Sequence, residues 1–141
     1  NKDIARQGRV FALVPGDVQN AATVVSGTFM VHGHSASILF DSGSTHSFVS
    51  KLFAQNLDKT EDTLSMLCVS SPMGESMLCT SVYYGCELEL GDVRVYANLL
   101  HLDMTYFDII LGMDWLGKYG ATIDCLTKRV SFHPPGQVES T

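Results

Sequence analysis

In the segment Ile38-Leu39-Phe40-Asp41-Ser42-Gly43-Ser44-Thr45-His46-Ser47-Phe48 an ionisable residue closes a three-residue apolar run and small hydroxyl-bearing residues follow at once. A strand ending on Asp41 aims its carboxylate out of the core. Gly43 permits a tight turn with close backbone approach, and Ser42, Ser44 and Thr45 supply hydroxyls able to orient the carboxylate by hydrogen bonding. These are the parts of an acid/base centre supported by its own loop. An isolated Asp-Ser-Gly is more often an ordinary polar turn. What lifts this one above that reading is a second segment about 70 residues downstream, Ile109-Ile110-Leu111-Gly112, an apolar run that ends on glycine and leads into a helical pattern.

The elements that must hold these residues are mostly short strands. Val10-Phe11-Ala12-Leu13-Val14, stopped by Pro15-Gly16-Asp17, reads as an edge or arm strand. Thr23 to Phe40 reads as two strands joined around His32-Gly33-His34. Phe48, Leu52, Phe53 and Leu57 fall at helical spacing, with Ser47 available as a cap. Met66 to Val69 and Met77 to Tyr83, separated by the turn chemistry of residues 70–76, form a projecting hairpin. The strongest hairpin signal is Cys86 to Leu90 and Val93 to Tyr96 about the Gly91-Asp92 turn. Phe107 to Leu111 reads as a buried strand and Trp115 to Tyr119 as a brief helix closed by Gly120. Ala121 to Cys125 and Arg129 to Phe132 make a last hairpin. The pattern is all-β, a closed sheet or barrel of one lobe with one or two short helices. Its expected division is an N-terminal arm over 1–20, the domain over 21–135 and a tail over 136–141.

Composition narrows the function. The 141 residues fit one domain, and 45% hydrophobic against 17% charged residues provide a packed interior. A net charge of -6, with no cluster of Lys and Arg, argues against nucleic acid as a partner. Apolar stretches fall far short of the roughly 20 residues of a membrane span. Cys68, Cys79, Cys86 and Cys125 lack zinc-site spacing and read as reduced thiols, Cys68 and Cys79 flanking the projecting turn. The chain opens on polar Asn1-Lys2-Asp3 with no initiator Met and no signal-like segment, and so reads as part of something longer. A soluble, intracellular, cytoplasmic protein is expected.

Leu39 to Phe48 together with Asp108-Ile109-Ile110-Leu111-Gly112-Met113-Asp114-Trp115-Leu116 resemble the retropepsins, most closely the proteases of plant gypsy-type LTR retrotransposons, and the likeness covers most of the chain. It implies a catalytic loop of Asp41, Ser42 and Gly43, with Ser42 gripping its partner loop across a dimer axis. It implies a flap around Pro72 to Ser76, and substrate contacts from Ser44, Thr45, Met73, Gly74 and Ile110. It also implies that the hydrophobic-hydrophobic-Gly strand packs on the acid loop in a ψ-shaped arrangement. Two positions depart from retroviral members, which carry an acidic residue where Thr45 stands and an Arg where Met113 stands. Their intrasubunit ion pair is therefore absent, and Asp114 is left to cap the following helix.

Peptide hydrolysis without metal or nucleophile can be done by two carboxylates sharing a proton, and the sequence holds one Asp-Ser/Thr-Gly. The expectation is a homodimer across a two-fold axis, joined through terminal strands with Arg129 to Phe132 contributing, and needing no cofactor or metal. The resemblance implies the element's own Gag-Pol polyprotein as substrate, cut in the particle. Three rivals stand beside this reading. His32 and His34, on one face of a strand, could bind the metal of a hydrolase, with His46 close to Asp41 in sequence, but no third ligand has recognisable spacing. Ser44 and Ser47 lack a nucleophile elbow. The rival from another class is a catalytically silent dimerisation or peptide-binding module on the same fold.

Overall fold

The computed structural model describes residues 6–9, 24–57, 62–70, 76–124 and 126–133. The strands in chain order are β1 Arg6–Arg9, β2 Val24–Val31, β3 His34–Asp41, β4 Phe48–Ser50, β5 Asp62–Ser70, β6 Ser76–Leu90, β7 Val93–Leu102, β8 Ile109–Leu111, β9 Thr122–Asp124 and β10 Arg129–Ser131. Two short helices, α1 at Lys51–Ala54 and α2 at Met113–Lys118, complete the set. The run expected as a strand over Val10 to Val14 lies outside the described residues. The strand observed near that end, β1, runs parallel to β5.

Turn chemistry decides the hairpins. β2 and β3 meet through His32 and Gly33 at φ 51° and 79°, the paired left-handed conformation whose twist suits a two-residue hairpin. Between β6 and β7 only the first turn residue, Gly91 at φ 68°, is left-handed. β6 is a single long strand whose ladder with β7 slips between Tyr83 and Cys86, where Gly85 sits at φ 61°. β5 and β6 pair up to Ser70 opposite Ser76, and the tip they carry, 71–75, lies outside the described residues.

Eight strands form one mixed sheet in the order β1-β5-β6-β7-β4-β8-β3-β2, and β9 and β10 form a separate ribbon. The expected closure does not occur. β1 and β2 are the two edges of an open sheet, which bends until β2 packs against β6 without a hydrogen-bonded ladder between them.

The centre, β4-β8-β3, is buried on both faces. Ile38 and Phe40 of β3, Val49 of β4 and Ile109 and Leu111 of β8 enter one apolar cluster with Trp115, Tyr119 and Phe132. Their neighbours Leu39, Phe48 and Ile110 enter a second cluster with Leu100, Leu102 and Phe107. Two-sided burial is why these strands read as continuous apolar runs and not as alternation.

The region after Asp41 differs from its sequence reading. Phe48 and Val49 are not helical but pair with β8 on one side and β7 on the other. The helix starts later, with Ser50 as its cap, whose Oγ accepts from Phe53 N at 3.0 Å. Tertiary pairing overrides the local period, and Leu52, one of the apolar positions that suggested the helix, is 76% exposed. Gly112, and not Asp114, occupies the N-cap of α2.

Candidate active site

β3 delivers Asp41 to the end of the buried centre, where the residue is 0% exposed. Its carboxylate is fixed by its own loop. Gly43 N donates to Oδ1 at 2.8 Å and Ser44 Oγ donates to Oδ2 at 2.8 Å, while Ser44 N closes the turn on Asp41 O at 3.1 Å. A buried carboxylate left without such donors would be strongly disfavoured in its charged form.

The loop of residues 42–47 passes over the end of β8. β8 runs parallel to β3, with Ile38 opposite Ile109 and Phe40 opposite Leu111, and antiparallel to β4, with Phe48 opposite Ile110. One strand therefore threads between the two that the acid loop connects, in a ψ shape. Asp108 ties the entry of β8 to β3 by accepting from Ser37 N at 2.8 Å and donating its own N–H to Ser37 O at 2.9 Å.

At the exit of β8 the backbones come so close that only glycine fits. A Cβ on Gly112 would stand 2.2 Å from His46 O and 2.7 Å from Ser44 O. Met113 N donates to Ser44 O at 2.8 Å, Gly112 N donates to Ser47 Oγ at 3.0 Å, and Ser47 Oγ donates to Asp114 Oδ1 at 2.7 Å. Trp115 N also donates to Asp114 Oδ1, at 2.8 Å.

The structure brings Asp41, Ser42, Gly43, Ser44 and Thr45 together in one loop, with Ser42, Gly43 and Thr45 half-buried. Ser44 is turned inward to the carboxylate, and Ile110 is fully buried beneath the loop. Met73 and Gly74 lie outside the described residues. Thr45 Oγ1 lies 2.8 Å from His46 Nδ1. His32 stands in an exposed turn and His34 is exposed at the start of β3. Among the described residues no three or more His, Cys, Asp or Glu side chains gather to hold a metal. None of the described helices is long and apolar enough to cross a membrane.

Sequence reasoning missed Ser47 and Asp114 as a pair. Each was assigned a helix cap, the ordinary use of Ser and Asp before a helix, and only the ψ crossing puts them side by side. Cys79 and Cys86 are buried, the Cys86 thiol donating to Tyr83 O at 3.4 Å, and burial pushes the Cys79 thiol up from 9.0 to about 11. Two surface grooves lie elsewhere. One of about 430 Å³ runs between α1 and the β7–β8 loop, the other of about 410 Å³ between β2 and β10, and Asp41 lines neither.

A carboxylate presented by a ψ-shaped crossing, with a glycine forced at the strand exit, defines an aspartic-protease type of lobe. The family model described as retroviral aspartyl protease matches residues 5–137, and the chain belongs to that family. Among solved structures it is similar to the retroviral protease-like domain of Ddi1 from Leishmania major. That match has 12% identity and a TM-score of 0.58, and covers 84% of this chain and 93% of that one. At that identity the likeness speaks for the fold. No curated protein matches the sequence. The chain is thus a retropepsin-like aspartyl protease domain.

Proposed function

We propose that this domain is an aspartic endopeptidase, active as a homodimer in which two copies of Asp41 meet across a two-fold axis. The observation that carries the reading is Asp41 itself, a buried carboxylate fixed by two hydrogen bonds at the crossing loop. The sequence contains a single Asp-Ser/Thr-Gly, so the second acid is to come from a second chain.

In the dimer the two carboxylates stand about 3 Å apart and hold one proton between them, because both cannot ionise at that separation. The ionised member takes a proton from a water, which attacks the scissile carbonyl carbon. The protonated member donates to the carbonyl oxygen, and proton return to the amide nitrogen lets the C–N bond break. The pair titrates as one unit. Gly43 N–H and the Ser44 hydroxyl keep each carboxylate oriented, and Ser42 reaches the partner loop. Thr45, with Met73 and Gly74 of the flap carried by β5 and β6, contacts an extended polypeptide, and Ser44 and Ile110 form the floor beneath. Terminal strands join the subunits, with Arg129 to Phe132 of the β9–β10 ribbon and its exit as the C-terminal contributor. In this reading the substrate is a polyprotein of the Gag-Pol kind, the setting is intracellular and particle-associated, and the source is a plant gypsy-type element.

The test is purified wild type and Asp41→Asn incubated with a polyprotein fragment, with mass followed by sedimentation. Cleavage by a dimer, inhibited by pepstatin and lost in Asp41→Asn, supports the proposal. Cleavage by a strict monomer, or peptide binding equal in both proteins without cleavage, refutes it, the latter in favour of a silent binding module.

A further inference from the structure

The geometry points to Ser47 and Asp114 as positioning residues for Asp41, a hydroxyl–carboxylate peg that sets where the acid loop stands. The inference rests on the peptidase reading above and names two residues which that reading does not use.

The acid loop meets the β8–α2 junction at two places. Met113 N–H holds Ser44 O, and Ser44 Oγ holds Asp41 Oδ2, so the first contact leads directly to the acid. The ends of the loop are held by the β3 and β4 ladders and by Leu100 N–H on Ser47 O, at 2.9 Å. The second contact adds a side-chain tie to the junction itself. Ser47 is 0% exposed, and its Oγ accepts the Gly112 N–H. The same oxygen must then place its proton elsewhere, and Asp114 Oδ1 takes it at 2.7 Å. Asp114 reaches in from an exposed position and is itself fixed by Trp115 N–H in the first turn of α2. Gly112 has no side chain with which to hold register against Ser44 O and His46 O, so directional bonds must do so.

Removing the hydroxyl leaves the buried Gly112 N–H without its acceptor and lets the loop shift. A displacement near 1 Å at a reacting group lowers turnover by up to about 100-fold. In Ser47→Ala, kcat per folded dimer is expected to fall about 10- to 100-fold with KM within about twofold. Asp114→Leu, which keeps the Ser47–Gly112 bond, should fall less, by about fivefold. Asp114→Asn should stay near wild type, because an amide oxygen accepts from both donors.

The experiment measures kcat and KM of the wild type and these three variants, their melting curves, amide exchange at Ser44 and Gly112, and the Asp41 carboxyl carbon resonance. A kcat drop out of proportion to the melted fraction, a displaced Asp41 resonance, faster exchange confined to the crossing and recovery in Asp114→Asn support the peg. Unchanged turnover and resonance in Ser47→Ala, or a loss that only follows unfolding, overturns it. If the wild type cleaves nothing, the peptidase reading falls, and the exchange and resonance data still decide whether the peg holds Asp41.

Discussion

The β3–β4–β8 crossing and the β9–β10 ribbon both include strands only three residues long and end up in opposite conditions. Every residue of β4 and β8 is buried, as are the last four of β3. The ribbon has no fully buried position, forms no ladder but its own among the described residues, and turns at Leu126, 92% exposed. The crossing is finished within one chain, whereas the ribbon offers backbone edges to another strand. Stability therefore resides in the centre, and what is left open at the periphery is where association can act.

Gly112→Ala attacks the centre most directly. Its methyl would overlap two backbone carbonyls that cannot yield separately, so a loss of about 3 kcal/mol in denaturant unfolding is expected, at the upper end of overpacking effects. A variant within about 0.5 kcal/mol of wild type would show the crossing to be looser than described.

Cys79 probes how far burial extends toward the projecting hairpin. With its thiol raised from 9.0 to about 11, its thiolate fraction at pH 8 is about 100-fold below that of an unperturbed cysteine. Alkylation followed by mass spectrometry should be slowed by at least that factor in the native protein and restored in denaturant. Native alkylation at the free-thiol rate would place the hairpin base with the open periphery.

The ribbon should respond in the reverse manner to Gly112. Thr122→Glu adds charge at an exposed position, leaves unfolding within about 0.5 kcal/mol of wild type, and weakens dimerisation about tenfold in sedimentation if the ribbon joins subunits. A dimer indifferent to this change puts the contact elsewhere.

The smallest effect is at the ribbon's turn. The hydroxyl and N–H of Thr127 hold the exposed Asp124 carboxyl below its usual 3.8. Whatever stability this adds is present above 3.8 and is lost as pH falls through the folded value. Thr127→Val should move the NMR titration of Asp124 upward, and no movement would mean that the backbone N–H groups of residues 126 and 127 and the charge of Arg129 set it without the hydroxyl.

What was legible in the sequence follows the same division. The hairpin turns at His32-Gly33 and Gly91-Asp92 declare themselves because left-handed backbone favours few residues. Ile38 to Phe40 and Ile109 to Leu111 stand out because two-sided burial tolerates no polar residue. β4 was hidden, since the spacing of Phe48, Leu52, Phe53 and Leu57 suits a helix as well as a strand followed by a turn. Whether the sheet closes was not legible either, because closure depends on how far β2 bends over β6 and not on any residue pattern. The acid was found from its loop, but the Ser47–Asp114 bond joins residues 67 apart in sequence and has no local signature.

β8 is only three residues long, yet it lies between both arms of the acid loop and is anchored by a Ser37–Asp108 bond spanning 71 residues. During synthesis, Asp41 emerges long before the strand that supports it. Chains that end before that strand therefore cannot assemble the centre, and the crossing stays unformed until translation has passed residue 114. The delay is written into the order in which the strands appear.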